Sequence, residues 1–260
     1  MQNRFVRPKK HLGQHFLTDR NIASRITEYI KPSDYTKLIE IGPGKGVLTG
    51  FLFERKDIDL VCVEIDQEAI DYLYAQWPER KDVIIKADFL NLNLLEDFGN
   101  KFGIIGNFPY NISSQIFFKA LECKDNCREI VCMLQKEVAE RIISPPGNKT
   151  YGILSVLLQT WYNMEYLFTV NPGSFFPAPE VKSAVIRMVR NDRKELPVSD
   201  KFFKQFVKTA FNQRRKMLRN SIKMYLGPDT PDHPMLTKRP EQLSVDEFLE
   251  LAVFIEKNKQ

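Results

Sequence analysis

Through the first half of the chain, short apolar runs alternate with mixed segments. Lys37–Ile41, Leu60–Glu64, Val83–Lys86, Phe102–Gly106 and Glu129–Leu134 are apolar almost throughout and too short for helices, so each reads as a buried strand. Between them lie stretches with helical spacing. Ile22 through Ile30 form an amphipathic helix, with Asp19 or Asn21 available as its cap. Gln135–Ile143 carries Glu137 and Arg141 four apart and stops before Pro145-Pro146-Gly147. Strands alternating with helices predict an α/β fold, a Rossmann-like parallel sheet with covering helices. Two late strands, near Tyr166–Val170 and Ser183–Val189, flank a loop carrying Phe175. Asn191 through Lys194, with Pro197, reads as a linker, dividing the chain into domains 1–190 and 191–260. The second is predicted to be small and all-α. Its helices span 200–226 and 244–257, the latter opening on Ser244 and Glu247 at capping-box spacing.

The first strand runs into Gly42-Pro43-Gly44-Lys45-Gly46 and then the helix-like Val47–Leu52. Glycines where a strand turns into a helix let a ligand approach the backbone, which makes Gly42 and Gly44 candidate cofactor residues. Glu64, at the end of the second strand, lies 22 residues past Gly42, the usual place for an acid that holds ribose hydroxyls. Asp88 follows the third strand and suits an adenine amino group. The loop reads Gly-x-Gly-x-Gly. The Gly-x-Gly-x-x-Gly of pyrophosphate binders is missing, which favours S-adenosylmethionine over a dinucleotide.

After the fourth strand comes Asn107-Phe108-Pro109-Tyr110. An amide, a backbone carbonyl, a rigid proline turn and an aromatic ring at one spot suit a nucleophile that is an amino group on a conjugated ring. Such a nitrogen shares its lone pair with the ring. The Asn107 oxygen and the Phe108 carbonyl can each take one N–H and bend the nitrogen toward tetrahedral geometry, while Tyr110 stacks on the ring.

These segments, with Lys9-Lys10-His11-Leu12-Gly13-Gln14-His15-Phe16-Leu17, Met133 through Val138, Phe175 through Val181 and Gln213-Arg214-Arg215-Lys216 followed by Leu218-Arg219-Asn220, resemble the small-subunit ribosomal RNA adenine N6,N6-dimethyltransferases over nearly the whole chain. The resemblance implies a class I S-adenosylmethionine-dependent methyltransferase sheet. It implies that His15, Leu17, Gly42, Glu64, Asp88 and Asn107 touch the cofactor, that Asn107 and the Phe108 carbonyl hold the amine, and that Tyr110 and Phe175 sandwich the adenine. The chain departs from the family's pattern at three places. His15 stands where Asn is usual, Phe108 where Leu is common, and Ala178 and Glu180 interrupt a Pro-Pro-Pro-Lys run.

Charge adds a second surface. Residues 201–260 hold 12 Lys and Arg against 7 Asp and Glu, whereas residues 1–200 balance at 26 each. From Lys201 to Lys223 no acid intervenes, and Arg214, Arg215, Lys216 and Arg219 are the candidate RNA-binding cations. A second basic patch runs from Arg4 to Lys10. Hydrophobic content of 43% and charged content of 27% are those of a soluble globular chain. No apolar run has the length of a membrane span and no signal peptide opens the chain. Cys62, Cys123, Cys127 and Cys132 fit no common zinc spacing, so no metal is expected and reduced thiols are. The expected partner is ribosomal RNA of the small subunit, met by a cytoplasmic monomer. DNA adenine or protein glutamine methyltransferases, a resistance enzyme acting on large-subunit RNA, a non-catalytic assembly factor and a nicotinamide oxidoreductase stay as alternatives.

Overall fold

A computed structural model describes residues 6–258; Arg4 lies outside them. Nine strands are described: β1 (Phe16–Leu17), β2 (Lys37–Ile41), β3 (Asp59–Glu64), β4 (Ile84–Lys86), β5 (Phe102–Asn107), β6 (Cys127–Gln135), β7 (Tyr162–Val170), β8 (Phe175–Phe176) and β9 (Ser183–Arg190). Ten α-helices accompany them: α1 (Arg20–Glu28), α2 (Val47–Phe53), α3 (Gln67–Gln76), α4 (Leu94–Phe98), α5 (Ser113–Glu122), α6 (Lys136–Ile143), α7 (Ile153–Gln159), α8 (Asp200–Asn212), α9 (Leu218–Ser221) and α10 (Val245–Lys257).

Seven strands make one sheet in the order β4-β3-β2-β5-β6-β9-β7. β4 through β6 run parallel along it, with Ile39 opposite both Val61 and Ile104, and β9 is antiparallel to β6. Leu38, Ile39, Ile104, Ile105, Ile130 and Val131 are fully buried. Side chains that leave both faces of a strand need cover on both, which is why these strands read as unbroken apolar runs. The chain moves outward from β2 to β3 and β4, then returns to β5 beside β2. That reversal opens a crevice at the carboxyl ends of β2 and β5.

The chain divides into two compact units. The first holds residues up to Ala139 together with Asn163–Arg190, hence the sheet. Its core joins Leu17, Ala23, Ile26, Leu38, Leu48, Leu52, Cys62, Leu73, Ile105 and Val185. Of the two caps open to α1, Asp19 takes the role, accepting from the N–H groups of Asn21 and Ile22. Glu129, almost fully buried, is held at the opposite end of the sheet by the Tyr35 hydroxyl and the Arg187 guanidinium, both at 2.6 Å.

The second unit comprises Glu140–Tyr162 and Asn191–Gln260. It therefore includes 140–162, which the sequence pattern places with the first domain. The reason is packing: α7 buries Leu154 through Leu158 and lies against α8, while the Gly147 N–H donates to the Glu241 carbonyl. Phe206, Phe211, Phe248 and Tyr225 form its aromatic core. The long helix expected over 200–226 is broken. α8 ends at Asn212, Lys216 N–H turns back to Gln213, and Leu218 N–H is taken by the Lys238 carbonyl. Met217, Leu218 and Ile222 keep helical spacing, so periodicity carries no sign of the break. The turn leaves Arg214 to Lys216 at the C-terminal end of α8, where free carbonyls favour cations.

Candidate active site

The crevice contains an open cavity of about 180 Å³, lined by Gly42, Gly44, Glu64, Asp88, Asn107, Pro109, Tyr110 and the segment Leu12–Phe16, among others. Ile41, Glu64 and Asn107 each end a parallel strand, so the sheet itself sets their spacing.

Gly42 has φ +65°, and a Cβ there meets nothing within 4 Å. The turn thus leaves bare backbone facing the cavity. At Gly44, φ is +57° and a Cβ would sit 2.8 Å from the Phe16 ring, so a side chain is excluded twice over. Glu64 is almost fully buried. One oxygen accepts the N–H groups of Ile65 and Asp66 at 2.9 Å, and the other accepts Gly44 N–H at 3.1 Å. Burial pushes its carboxyl above the ordinary range, although these bonds oppose the shift. A carboxylate has about four acceptor positions, so one remains for a hydroxyl. Asp88 caps the next turn through Leu90 N–H and borders the cavity with its second oxygen on Asn91. Beneath the loop, burial pushes Glu40 up to about 7.

The Asn107 turn is pinned on every side. Phe108 N–H donates to Met133 at 2.9 Å, and the buried Phe108 ring packs on Phe117. Asn107 Nδ2 donates to the His15 carbonyl at 2.7 Å. Only the nitrogen can donate, so Nδ2 is the atom that faces the His15 carbonyl and Oδ1 is spared to accept from another donor. The Tyr110 hydroxyl is 2.6 Å from the Oγ of buried Ser183, and burial raises its pKa.

Residues 9–17 form an arm over the cavity. Lys9 and Gln14 bond Asp66, Lys9 also reaches Glu68, and Asn111 Nδ2 donates to His11. Burial pushes Asp66 up, but the Lys9 and Gln14 bonds together hold it below the usual carboxylate range. Lys9, expected in a basic patch, is thus committed to tethering the arm. His15 Nδ1 lies 2.8 Å from the Pro177 carbonyl, and its ring stacks on Tyr110.

Two expected residues sit elsewhere. Leu17 is a core side chain that borders a smaller recess beside Gly42, Lys45 and Asn107. Phe175, expected to face the base, is 5% exposed and joins the core; its neighbour Phe176 is 51% exposed, with the Lys45 ammonium 5.9 Å from its ring. β8 pairs with β1, setting Phe175 opposite Leu17 and Phe176 opposite Phe16. Successive strand residues point to opposite faces, so only one ring of the pair faces out.

In the second unit Arg215, Lys216 and Arg219 are exposed, Arg219 lying 3.8 Å from Asp232. Arg214 bonds the Asn148 carbonyl and lies 3.9 Å from Glu241. None of the four cysteines is joined in a disulfide. Among the described residues no cluster of His, Cys, Asp or Glu is arranged to hold a metal, and no helix is long and apolar enough to cross a membrane. The tethers at Asp66, Asn111 and the His15 carbonyl escaped sequence reasoning, because partners so distant in sequence leave no local pattern.

The sheet order, glycine turn and Asn-x-Pro-Tyr turn define a class I S-adenosylmethionine-dependent methyltransferase fold. Two solved structures share it. A dimethyladenosine transferase from Plasmodium falciparum matches at TM-score 0.78 and 21% identity, over 94% of this chain and 98% of that one. The 23S rRNA methyltransferase ErmE matches at TM-score 0.64 and 24% identity, over 90% and 98%.

The chain belongs to the ribosomal RNA adenine dimethylase family, which it matches over residues 6–257. It is 56% identical over 257 residues to a Parabacteroides distasonis protein named Ribosomal RNA small subunit methyltransferase A, across 98% of this chain and 96% of that one. A Bacteroides thetaiotaomicron protein of the same name is 55% identical over 256 residues, across 97% and 96%.

Proposed function

We propose that this enzyme transfers methyl groups from S-adenosylmethionine to N6 of adenines in small-subunit ribosomal RNA, giving N6,N6-dimethyladenosine as the subunit is assembled. The cavity's residues fit the cofactor. The Gly42 and Gly44 backbone gives it room, Glu64 has an acceptor position for a ribose hydroxyl, Asp88 borders the place for an adenine amino group, and the arm closes the far side. S-Adenosylmethionine, when bound, supplies an electrophilic methyl on its sulfonium.

The observation that carries the reading is the fixed amide of Asn107. With Oδ1 turned to the cavity beside the Phe108 carbonyl, two acceptors take the two N–H groups of the target amine. They hold its lone pair out of conjugation with the ring. Pro109 keeps the turn rigid, and Tyr110 offers a ring face to the base once it leaves its stack. Positioning and fixed dipoles supply most of the rate, so no strong base is needed. Phe175 supports the arm from the core. Arg214, Arg215, Lys216 and Arg219 hold RNA phosphates. The enzyme works as a cytoplasmic monomer.

Incubation with labelled S-adenosylmethionine and, separately, unmodified small subunits, large subunits or DNA tests the reading. Label recovered as dimethyladenosine in small-subunit RNA supports it. Label on large subunits, on DNA or nowhere refutes it.

A further inference from the structure

We propose that His15 is a placeholder for the target base: in the free enzyme its imidazole covers the face of Tyr110 onto which the adenine stacks. This rests on the function proposed above. The two rings lie 5.2 Å apart between centroids and 28° from parallel, already in stacking contact, so no purine fits between them. One of them must leave. Tyr110 is locked by its hydroxyl on Ser183, which is fully buried. The His15 backbone is locked too, since its carbonyl accepts from Asn107 and the next residue, Phe16, pairs with Phe176.

What remains free to move is the imidazole alone, held by the stack and by one bond from Nδ1 to the Pro177 carbonyl. Rotation about the His15 side-chain torsions breaks that bond and uncovers Tyr110, yet leaves the Asn107 amide oriented for chemistry. The device also selects. A base enters only if it stacks on Tyr110 better than the imidazole does, which favours a purine, with its larger ring system, over a pyrimidine. His15 is therefore a positioning and specificity residue that acts through Tyr110.

Two measurements test this. The first is the KM for unmodified small subunits, with kcat read alongside, for wild type, His15→Ala, His15→Asn and His15→Phe. Loss of a competing stack lowers KM about two- to tenfold in the Ala and Asn variants, whereas Phe, which keeps a ring, stays near wild type. A KM that is unchanged or raised in the Ala and Asn variants overturns the proposal. The second uses the folded wild-type chain, whose three histidines give few ring signals. The His15 ring protons should resonate upfield and return toward ordinary values in Tyr110→Leu; no difference between the two proteins also overturns it. Absence of any transfer by wild type refutes the function itself and is read separately from the ring signals.

Discussion

Replacing Asn107 by Ala removes two things of different size. One is Oδ1, the acceptor proposed to orient the amine and stabilise the positive charge it gains during attack. Removing a single preorganised dipole of this kind slows an enzyme about 10²–10³-fold, roughly 2.7–4 kcal/mol in the transition state. The other is the 2.7 Å bond to the His15 carbonyl, one of several tethers on the arm. A half-buried hydrogen bond contributes about 1 kcal/mol, so its loss weakens cofactor binding by at most roughly fivefold. Single-turnover transfer to small subunits at saturating cofactor reads the first effect, and calorimetric titration with S-adenosylhomocysteine reads the second. The expected result is a rate lower by two to three orders of magnitude with affinity nearly kept. Asn107→Asp retains an acceptor but sets a carboxylate oxygen against the His15 carbonyl, so its rate should fall between the two. A near-normal rate in Asn107→Ala, or a loss confined to cofactor affinity, would refute the role given to the amide.

Three further outcomes follow from the same geometry. Phe175→Ala should destabilise the fold by about 3–5 kcal/mol in chemical denaturation while transfer per folded molecule survives; lost transfer at unchanged stability would return Phe175 to the base-stacking role. Glu40, raised to about 7 when folded, adds stability that is full below its unfolded value near 4.5 and lost as pH climbs through 7. Glu40→Gln should therefore flatten the decline between pH 5 and 8 by about 3 kcal/mol relative to wild type, and an identical slope in both proteins would contradict the assignment. Reversing charge at Arg215 and Lys216 should raise the KM for small subunits and make the logarithmic salt dependence shallower by about 0.7–0.9 for each phosphate these cations neutralise; an unchanged salt slope would show that they do not meet phosphate.

Much of the sheet-bearing unit is legible in the sequence because its strands are buried on both faces and the candidate site lies where they end. Lys37–Ile41 leads into the glycine turn, and the strand ending at Asn107 leads into Pro109-Tyr110, so motif and element announce each other. What escaped depends on partners far along the chain. Phe175 and Phe176 are adjacent and chemically alike; pairing with Phe16 and Leu17, far upstream, decides which ring is buried. Lys9 looks like part of a phosphate-binding patch until Asp66 is seen to hold it. Residues 140–162 follow the sheet in sequence, yet α7 buries its apolar face against α8. The break after Asn212 hides behind residues that keep helical spacing across it.

A crystal structure with S-adenosylhomocysteine bound would show whether the donor meets the Asn107 turn. The sulfur should lie beside Asn107 and the Phe108 carbonyl, the ribose on Glu64 and the adenine next to Asp88, under the arm that Lys9 ties to Asp66. A ligand seated away from the carboxyl ends of β2 and β5, or Asn107 Oδ1 turned from its sulfur, would contradict that placement.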